Sequence, residues 1–139
     1  MNKRKIGDEY EKIAAAYLEN NGYIILEKNY RCRNAEIDII AKNDSYICFV
    51  EVKYRKTDNC GGAAEAVDHR KRHKITMAAL YYMQKNNYSE WTPCRFDVLA
   101  IDAQSIQLYK NALEVIDNDF RQRYYKKALL HSRKCDLLN

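Results

Sequence analysis

Residues that interrupt regular structure are scarce in this chain. Its 139 residues include one proline and four glycines, and 47% of them are hydrophobic. Such a composition excludes a disordered or linker-rich chain, and the length suits one domain of ordinary size. We therefore expect one folded domain over residues 1–119, with residues 120–139 as a basic amphipathic extension of the same domain.

Long apolar runs are also absent. A membrane helix needs about 20 consecutive apolar residues, and no stretch of the sequence approaches this length. The first ten residues, MNKRKIGDEY, are basic at the start but lack the apolar segment of a secretory signal. The sequence therefore predicts no membrane partner and a cytoplasmic location.

The five cysteines show no spacing that is typical of a metal site or a disulfide framework. They form an odd set without a CxxC pair, and long gaps separate them. We expect reduced, structural thiols. The cysteines are Cys32, Cys48, Cys60, Cys94 and Cys135.

Positive charge is in modest excess, with 24 Lys and Arg against 19 Asp and Glu. A net charge of +5 permits a nucleic-acid partner without requiring one. The tail over 121–139 is basic, and Phe120, Tyr124 and Ala128 stand at helical spacing. These features predict an additional C-terminal basic helix, which would dock on the core or pair with another subunit, so a homodimer remains open.

The apolar pattern predicts an α/β fold. Apolar residues from Ile6 to Leu18 follow the spacing of one helix face, and Gly22 is a typical stop signal. Runs rich in Ile, Val, Phe and Tyr predict strands, and Asp68 is a suitable N-cap for a second helix. The predicted elements are a helix over 5–21, strands over 23–27, 36–41 and 46–54, a helix over 69–85, and strands over 95–101 and 106–109.

The second and third strands are predicted to form a hairpin. A turn at Asn43 and Asp44 would pair positions whose numbers add to 87. Glu36 would then face Glu51 directly across the hairpin.

Three carboxylates would share one face of this hairpin. Because side chains alternate along a strand, Glu36, Asp38, Glu51 and Lys53 project to one side. Close carboxylates repel one another, and a divalent cation such as Mg²⁺ would compensate the charge. A solvated strand face with surface ion pairs is the alternative. The opposite face is predicted to be apolar, formed by Ile37, Ile39, Ala41, Cys48, Val50 and Val52.

These residues resemble a known nuclease motif. Asp38, followed after twelve residues by Glu51-Val52-Lys53, is similar to the PD-(D/E)xK motif of the restriction-endonuclease-like superfamily. More specifically, the segments AAAYLENNGYIILEKNYRCRNAEIDIIA, FVEVKYR, GGAAEAVDHRK and PCRFDVLAI resemble the YraN family. Members of this family are small bacterial proteins described as predicted endonucleases related to archaeal Holliday-junction resolvases. The resemblance extends over residues 6–109.

The resemblance implies both a fold and a site. The fold is a restriction-endonuclease-like αβββαβ core, a mixed central sheet flanked by helices, and the metal site lies at Asp38 and Glu51. Glu11 matches an acid that the family places next to that site, and an ordinary helix-surface acid is the alternative. Ala35 stands where the family usually has Gly, and the tail over 121–139 lies outside the resemblance.

A basic group near the start of the second helix is a candidate for contacts to phosphate. Lys71 matches a basic position of the family, and Arg70 and Lys74 flank it, while Arg55 follows the third strand. Contacts of Lys and Arg to phosphate position a duplex without reading its sequence. A solvated helix surface would show the same charges.

We hypothesise a Mg²⁺- or Mn²⁺-dependent endonuclease that hydrolyses phosphodiester bonds in DNA, with branched or distorted DNA as the narrower hypothesis. Asp38 and Glu51 would hold the metal together with the Val52 carbonyl, and Lys53 would position the nucleophile or offset charge. Glu36 and Glu11 would complete the site. Two alternatives remain open: a catalytically silent nucleic-acid-binding or complex-assembly protein on a nuclease-like fold, and a small protein-interaction domain.

Overall fold

One mixed sheet of five strands forms the centre of the protein. The structure is a computed structural model that describes residues 3–33, 35–54 and 69–112. The elements are α1 (Lys3–Asn20), β1 (Ile24–Cys32), β2 (Ala35–Asn43), β3 (Tyr46–Tyr54), α2 (His69–Lys85), β4 (Cys94–Ile101) and β5 (Ile106–Tyr109).

The predicted order of elements is confirmed. The sequence of α1, three strands, α2 and two strands gives the αβββαβ core that the resemblance implies, with β5 added at the end. β1 is longer than predicted, because it continues from residue 27 to Cys32. The predicted extension over 120–139, the cap at Asp68 and the residues Cys60 and Cys135 lie outside the described residues.

The sheet is mixed because one pair of strands is parallel. The strand order is β1-β2-β3-β4-β5, and only the β3–β4 pair is parallel within the described sheet. Parallel neighbours need a crossover, and α2 lies in the connection between these two strands. The start of α2 therefore returns near the carboxyl end of β3, where Glu51 and Lys53 are located.

Each helix covers its own apolar cluster. On the α2 side the buried cluster consists of Tyr30, Ile37, Ile40, Ile47, Phe49, Ile75, Ala78, Ala79, Tyr82, Met83 and Phe96. On the α1 side it consists of Ala14, Leu18, Tyr23, Ile39, Ala41, Cys48, Val50, Leu99 and Ile101. Burial of apolar surface on both faces explains why the central strands are almost continuously hydrophobic.

Both helices end in a left-handed residue. Gly22 has φ of 86°, its N–H bonds to the Glu19 carbonyl at 3.1 Å, and the Tyr23 N–H bonds to the Leu18 carbonyl at 3.0 Å. This is a Schellman motif, and the stop predicted at Gly22 is confirmed. At the end of α2, Asn87 takes the same role with φ of 61°.

The predicted register of the β2–β3 hairpin is wrong by two residues. The turn lies at residues 44–45, and the pairs run from Asn43–Tyr46 to Ile39–Val50, so paired numbers add to 89. Asp44 adopts the left-handed conformation, with φ of 54°. Asn43 is the last residue of β2, and its side-chain oxygen accepts a 2.7 Å hydrogen bond from Arg95 Nη2, which favours this position in the strand.

A buried ion pair ties the first and last strands to the sheet. Asp97 is fully buried on β4, and Arg95 Nε donates to its two oxygens at 3.0 and 3.1 Å. The Tyr23 hydroxyl donates to Asp97 at 2.8 Å, and the Asn111 N–H donates to it at 2.9 Å. One carboxylate thus links the start of β1, strand β4 and the residues after β5.

Cys48 behaves as a structural thiol. It is buried in the α1-side cluster, and burial together with the nearby Asp97 carboxylate raises the pKa of its thiol to about 12. A protonated buried thiol is a poor nucleophile. Neither of the two helices in the described ranges is both long and apolar enough to cross a membrane.

We expect Asp97→Asn to lower the free energy of unfolding by about 3 kcal/mol, because Arg95 would keep a buried charge without its counterion. Tyr23→Phe removes one hydrogen bond and leaves the ion pair, so it should cost about 1 kcal/mol. Urea unfolding of the two variants measures both values. Equal losses in the two variants would contradict the central role of the ion pair.

Candidate active site

The candidate site forms where the sheet is interrupted at Asp38. Within the described strands, β1 and β2 pair at Lys28–Ile39 and at Tyr30–Ile37, but the residues between these two pairs do not pair. The pairing of β2 with β3 ends at Ile39–Val50. Asp38 is therefore outside both ladders. Asn29, the residue opposite it in β1, has φ of 54°, which regular strands do not adopt.

This interruption changes which faces the side chains of β2 occupy. Ile37 belongs to the α2-side cluster, whereas Ile39 belongs to the α1-side cluster. The prediction that Ile37 shares an apolar face with Ile39 is therefore wrong. Strict alternation requires an unbroken strand, and β2 is irregular at the residue between them.

The Asp38 carboxylate bridges the gap between β2 and β3. Its Oδ2 accepts a hydrogen bond from the Val52 N–H at 2.8 Å, so a side chain takes the place of a ladder carbonyl. Burial and the neighbouring Glu51 carboxylate raise the pKa of Asp38 to about 7, and the Val52 hydrogen bond only partly opposes this. Two close carboxylates in a half-buried position are therefore the central electrostatic feature of the site.

Two lysines balance the charge of Glu51. Lys71 Nζ lies 2.8 Å from Glu51 Oε1, and Lys53 Nζ lies 3.4 Å from the same oxygen. Only 13% of the Glu51 side chain is exposed, so these ion pairs are shielded from water.

The two lysines respond differently to this environment. Burial and the neighbouring Lys71 ammonium lower the pKa of Lys53, although Glu51 opposes the shift. Burial also acts to lower the pKa of Lys71, but its hydrogen bond to Glu51 outweighs this and the net pKa is raised. Lys53 therefore gives up a proton more readily than Lys71 does.

A cavity of about 450 Å³ opens onto the carboxylates. Carboxylates from β2 and β3 line one part of it, and basic side chains from α2 line another. Its lining residues are Ala35, Glu36, Asp38, Glu51, Arg70, Lys71, Lys74 and Ile75. We refer to it as the carboxylate cavity.

The predicted accessory acids lie at the border of this group. Glu36 lines the carboxylate cavity, and its Oε1 lies 3.8 Å from Arg31 Nε in an exposed ion pair. Glu11 accepts a 3.2 Å hydrogen bond from Asn29 Nδ2, so its contact is with the residue opposite Asp38 in β1. The hydrogen bond thus connects Glu11 to the sheet interruption through Asn29.

The predicted phosphate-binding residues divide into two groups. Arg70 and Lys74 are exposed and line the carboxylate cavity. Lys71 also lines this cavity, and its ammonium contacts Glu51. Arg55 lies outside the described residues.

Two features of this region are not predicted from the sequence, the contact of Lys71 with Glu51 and the conformation of Asn29. The signal for the Lys71 contact is the parallel crossover, which brings the start of α2 to the end of β3, where Glu51 lies. Asn29 was not considered. An asparagine inside a strand is a signal for left-handed backbone, because Asn tolerates positive φ better than most residues.

The carboxylates at this site suit a divalent cation that keeps several of its coordinated water molecules. No group of three acidic, His or Cys side chains converges within the described ranges, so the candidate ligands are the Asp38 and Glu51 carboxylates. Mg²⁺ is commonly held by one or two carboxylates together with waters and phosphate oxygens. A two-carboxylate site beside a basic cavity is consistent with that chemistry.

Comparison with known proteins identifies one family. Residues 10–101 match the model described as "Uncharacterised protein family UPF0102". A UPF0102 protein of Lachnoclostridium phytofermentans is 47% identical over 114 residues, which cover 82% of this chain and 97% of that relative. A UPF0102 protein of Photobacterium profundum is 45% identical over 116 residues, 81% of this chain and 93% of that relative. One of Clostridioides difficile is 50% identical over 101 residues, 73% of this chain and 88% of that relative.

A more distant similarity is found among solved structures. The structure described as "Crystal structure of SSO0001" has a TM-score of 0.41 and 15% sequence identity to this chain. The match covers 90% of this chain and spans 59% of that one. At this distance it carries no argument about the reaction.

We expect Asp38→Asn to raise the free energy of unfolding of the metal-free protein. The pKa of Asp38 is about 7 in the folded state against an ordinary 3.8, so the folded state binds more protons between these values and loses stability as the pH rises. Asn keeps an oxygen for the Val52 N–H but carries no charge. Its advantage should grow as the pH rises and reach on the order of 2 kcal/mol near pH 8.

Urea unfolding in EDTA at acidic and alkaline pH measures this advantage. Glu36→Gln is the matched control, because Glu36 is exposed on the same strand. We expect its stability to change by less than about 0.5 kcal/mol. An Asp38→Asn protein that is less stable than the parent near pH 8 would show that the carboxylates do not repel each other.

Proposed function

The chain belongs to the uncharacterised protein family UPF0102, the YraN family whose motifs it carries, and we propose that it is a metal-dependent endonuclease acting on DNA. The observation that carries the proposal is that Asp38 and Glu51 line one cavity with basic side chains of α2, while Lys53 Nζ lies 3.4 Å from Glu51. Paired carboxylates with an adjacent lysine suit phosphodiester hydrolysis, because that reaction needs both an activated water and compensation of phosphate charge.

The proposed cofactor is Mg²⁺ or Mn²⁺. Asp38 and Glu51 would hold it, and the Val52 carbonyl is the proposed third protein ligand. When bound, the cation would polarise the scissile phosphate and lower the pKa of a coordinated water.

Lys53 has the proposed role of orienting the nucleophile or stabilising charge on the phosphate. Its ammonium is half-buried at 3.4 Å from Glu51, so its position is fixed by the ion pair and by β3. Burial and Lys71 lower its pKa, which makes it a better proton donor or acceptor than an exposed lysine. Lys71 would hold the Glu51 carboxylate in a constant orientation from α2.

DNA is the proposed substrate. Arg70 and Lys74 are exposed on the rim of the carboxylate cavity, where a phosphate backbone would meet them, and the whole chain carries a net charge of +5. Such contacts give affinity without sequence preference. Branched or distorted DNA is the narrower proposal, which rests on the family resemblance.

One observation favours a second candidate, a catalytically silent nucleic-acid-binding protein. Glu51 already forms ion pairs with Lys53 and Lys71, so much of its charge is balanced without a cation. If these pairs are stronger than metal coordination, the protein would bind nucleic acid and leave it intact. Metal binding coupled to cleavage separates the two candidates.

We expect Asp38→Asn and Glu51→Gln each to abolish Mn²⁺ binding and to reduce cleavage of DNA by about 100-fold or more, because each removes a charged ligand. Calorimetric titration with Mn²⁺ and gel assays on linear, flapped and four-way DNA, with Mg²⁺, Mn²⁺ or EDTA, provide the measurements. Glu19→Gln, at an exposed acid of α1 that does not line the carboxylate cavity, should retain Mn²⁺ affinity. Cleavage by the parent in EDTA, or unchanged Mn²⁺ binding in both variants, would refute the proposed site.

Lys53→Met should separate chemistry from binding. Methionine fills nearly the same volume without a charge, so we expect cleavage to fall by about 100-fold while DNA affinity changes less than about threefold. Lys42→Met is the matched control, since Lys42 is exposed on β2 and lies away from the carboxylate cavity. If Lys53→Met weakens DNA binding as much as it weakens cleavage, Lys53 is a phosphate contact only.

A further inference from the structure

A second cavity continues from the carboxylate cavity along α2. Its volume is about 730 Å³, and it shares Ala35 and Lys74 with the carboxylate cavity. The end of β1 forms one wall, and the helix residues Met77 and Tyr81 form part of the other. A volume of this order is typical of sites that enclose a small organic group, and we refer to it as the α2 groove.

The walls of the α2 groove carry positive charge. This charge comes from Arg31 and Arg33 near the end of β1 and from Lys74 and Lys85 on α2. Within the described residues, no acidic side chain lines the groove. Arg31 also pairs with Glu36 at the border of the carboxylate cavity. A groove with one sign of charge concentrates anionic ligands, so a phosphate-bearing ligand fits it better than a neutral one.

An aromatic ring is presented to this groove. Tyr81 is 48% exposed, which is high for a tyrosine on a helix that covers the core. Lys85 Nζ lies 5.9 Å from the centre of the Tyr81 ring. An exposed ring beside a cation, in a basic groove, is the arrangement on which proteins stack unpaired bases.

One residue that lines the groove also carries a buried polar atom. Tyr30 lines the groove and is 8% exposed, and among the described residues its hydroxyl has no full hydrogen bond, only the weakly polar Cys32 thiol beside it. Burial, together with the neighbouring Cys32 thiol, raises the pKa of Tyr30, so the hydroxyl stays protonated. A buried hydroxyl without a partner is costly, and a ligand with a polar edge would satisfy it.

We propose that the α2 groove binds an unpaired nucleotide of the strand that is cleaved. The base would stack on Tyr81 with its polar edge toward the Tyr30 hydroxyl, and the adjoining phosphates would lie along Arg33 and Lys74 toward the carboxylates. This inference rests on the proposed function and narrows its substrate to DNA with a single-stranded segment beside the scissile bond. A blunt duplex has no free base to offer.

The test measures binding of the full chain to DNA in EDTA, where metal-dependent cleavage does not interfere. The probes are a blunt duplex and the same duplex with a single-stranded tail that carries 2-aminopurine. We expect tighter binding of the tailed duplex and quenching of the 2-aminopurine fluorescence as the base stacks. Tyr81→Ser should weaken tailed-duplex binding about tenfold and remove the quenching, while binding of the blunt duplex stays the same.

Two further variants make the result specific. Tyr109→Ser changes a tyrosine of similar exposure on β5, at the opposite end of the strand order from β1, and should behave as the parent does. Tyr30→Phe removes only the hydroxyl, and should weaken binding of the tailed duplex a few-fold without lowering the melting temperature.

The outcomes also separate this inference from the proposed function. Equal affinity of the parent for both probes, or unchanged quenching in Tyr81→Ser, would overturn the assignment of the groove even if Mn²⁺-dependent cleavage is observed. Loss of quenching in Tyr81→Ser, without any cleavage by the parent, would support the groove and refute the nuclease.

Discussion

The repulsion between two neighbouring carboxylates, Asp38 and Glu51, is the constraint on which the rest of the site depends. Asp38 lies between two ladders that do not include it and binds the Val52 N–H instead, so a side chain connects β2 and β3 at this point. A fully paired strand would close the space between them. The missing strand pairs at Asp38 therefore both interrupt the sheet and open the space that the carboxylates occupy.

The lysines determine the state of the site when no cation is bound. Lys71 reaches Glu51 from α2, and Lys53 reaches it from β3, so one carboxylate fixes the position of a helix relative to a strand. Any cation that binds must compete with these ammonium groups. The free energy of metal binding therefore includes the rearrangement of two ion pairs, and affinity should depend on how far Lys71 can withdraw along its flexible side chain.

The sequence predicts the elements better than it predicts their alignment. Apolar residues at helical spacing locate α2, and a continuous apolar run locates β3, because both segments bury most of these side chains. At the last hairpin pair before the turn, Asn43 takes part in a tertiary contact, a hydrogen bond from Arg95, which local patterns do not contain. For the site, side-chain alternation along the hairpin predicts that Asp38, Glu51 and Lys53 lie close together, and the structure has them so. The contact of Lys71 with Glu51 cannot be predicted until the crossover between the parallel strands is known.

The irregularities of β1 also affect whether the edge of the sheet can pair with a second copy of the chain. β1 is at the end of the strand order in the described sheet, and Ile24 and Leu26 expose 63% and 39% of their surface there. A long, flat edge with exposed apolar side chains is a template for intermolecular strand pairing and aggregation. The register shift between Ile25 and Glu27 and the left-handed backbone at Asn29 break that edge into short segments. The distortion beside Asp38 thus also limits open-ended sheet growth during folding and at high protein concentration.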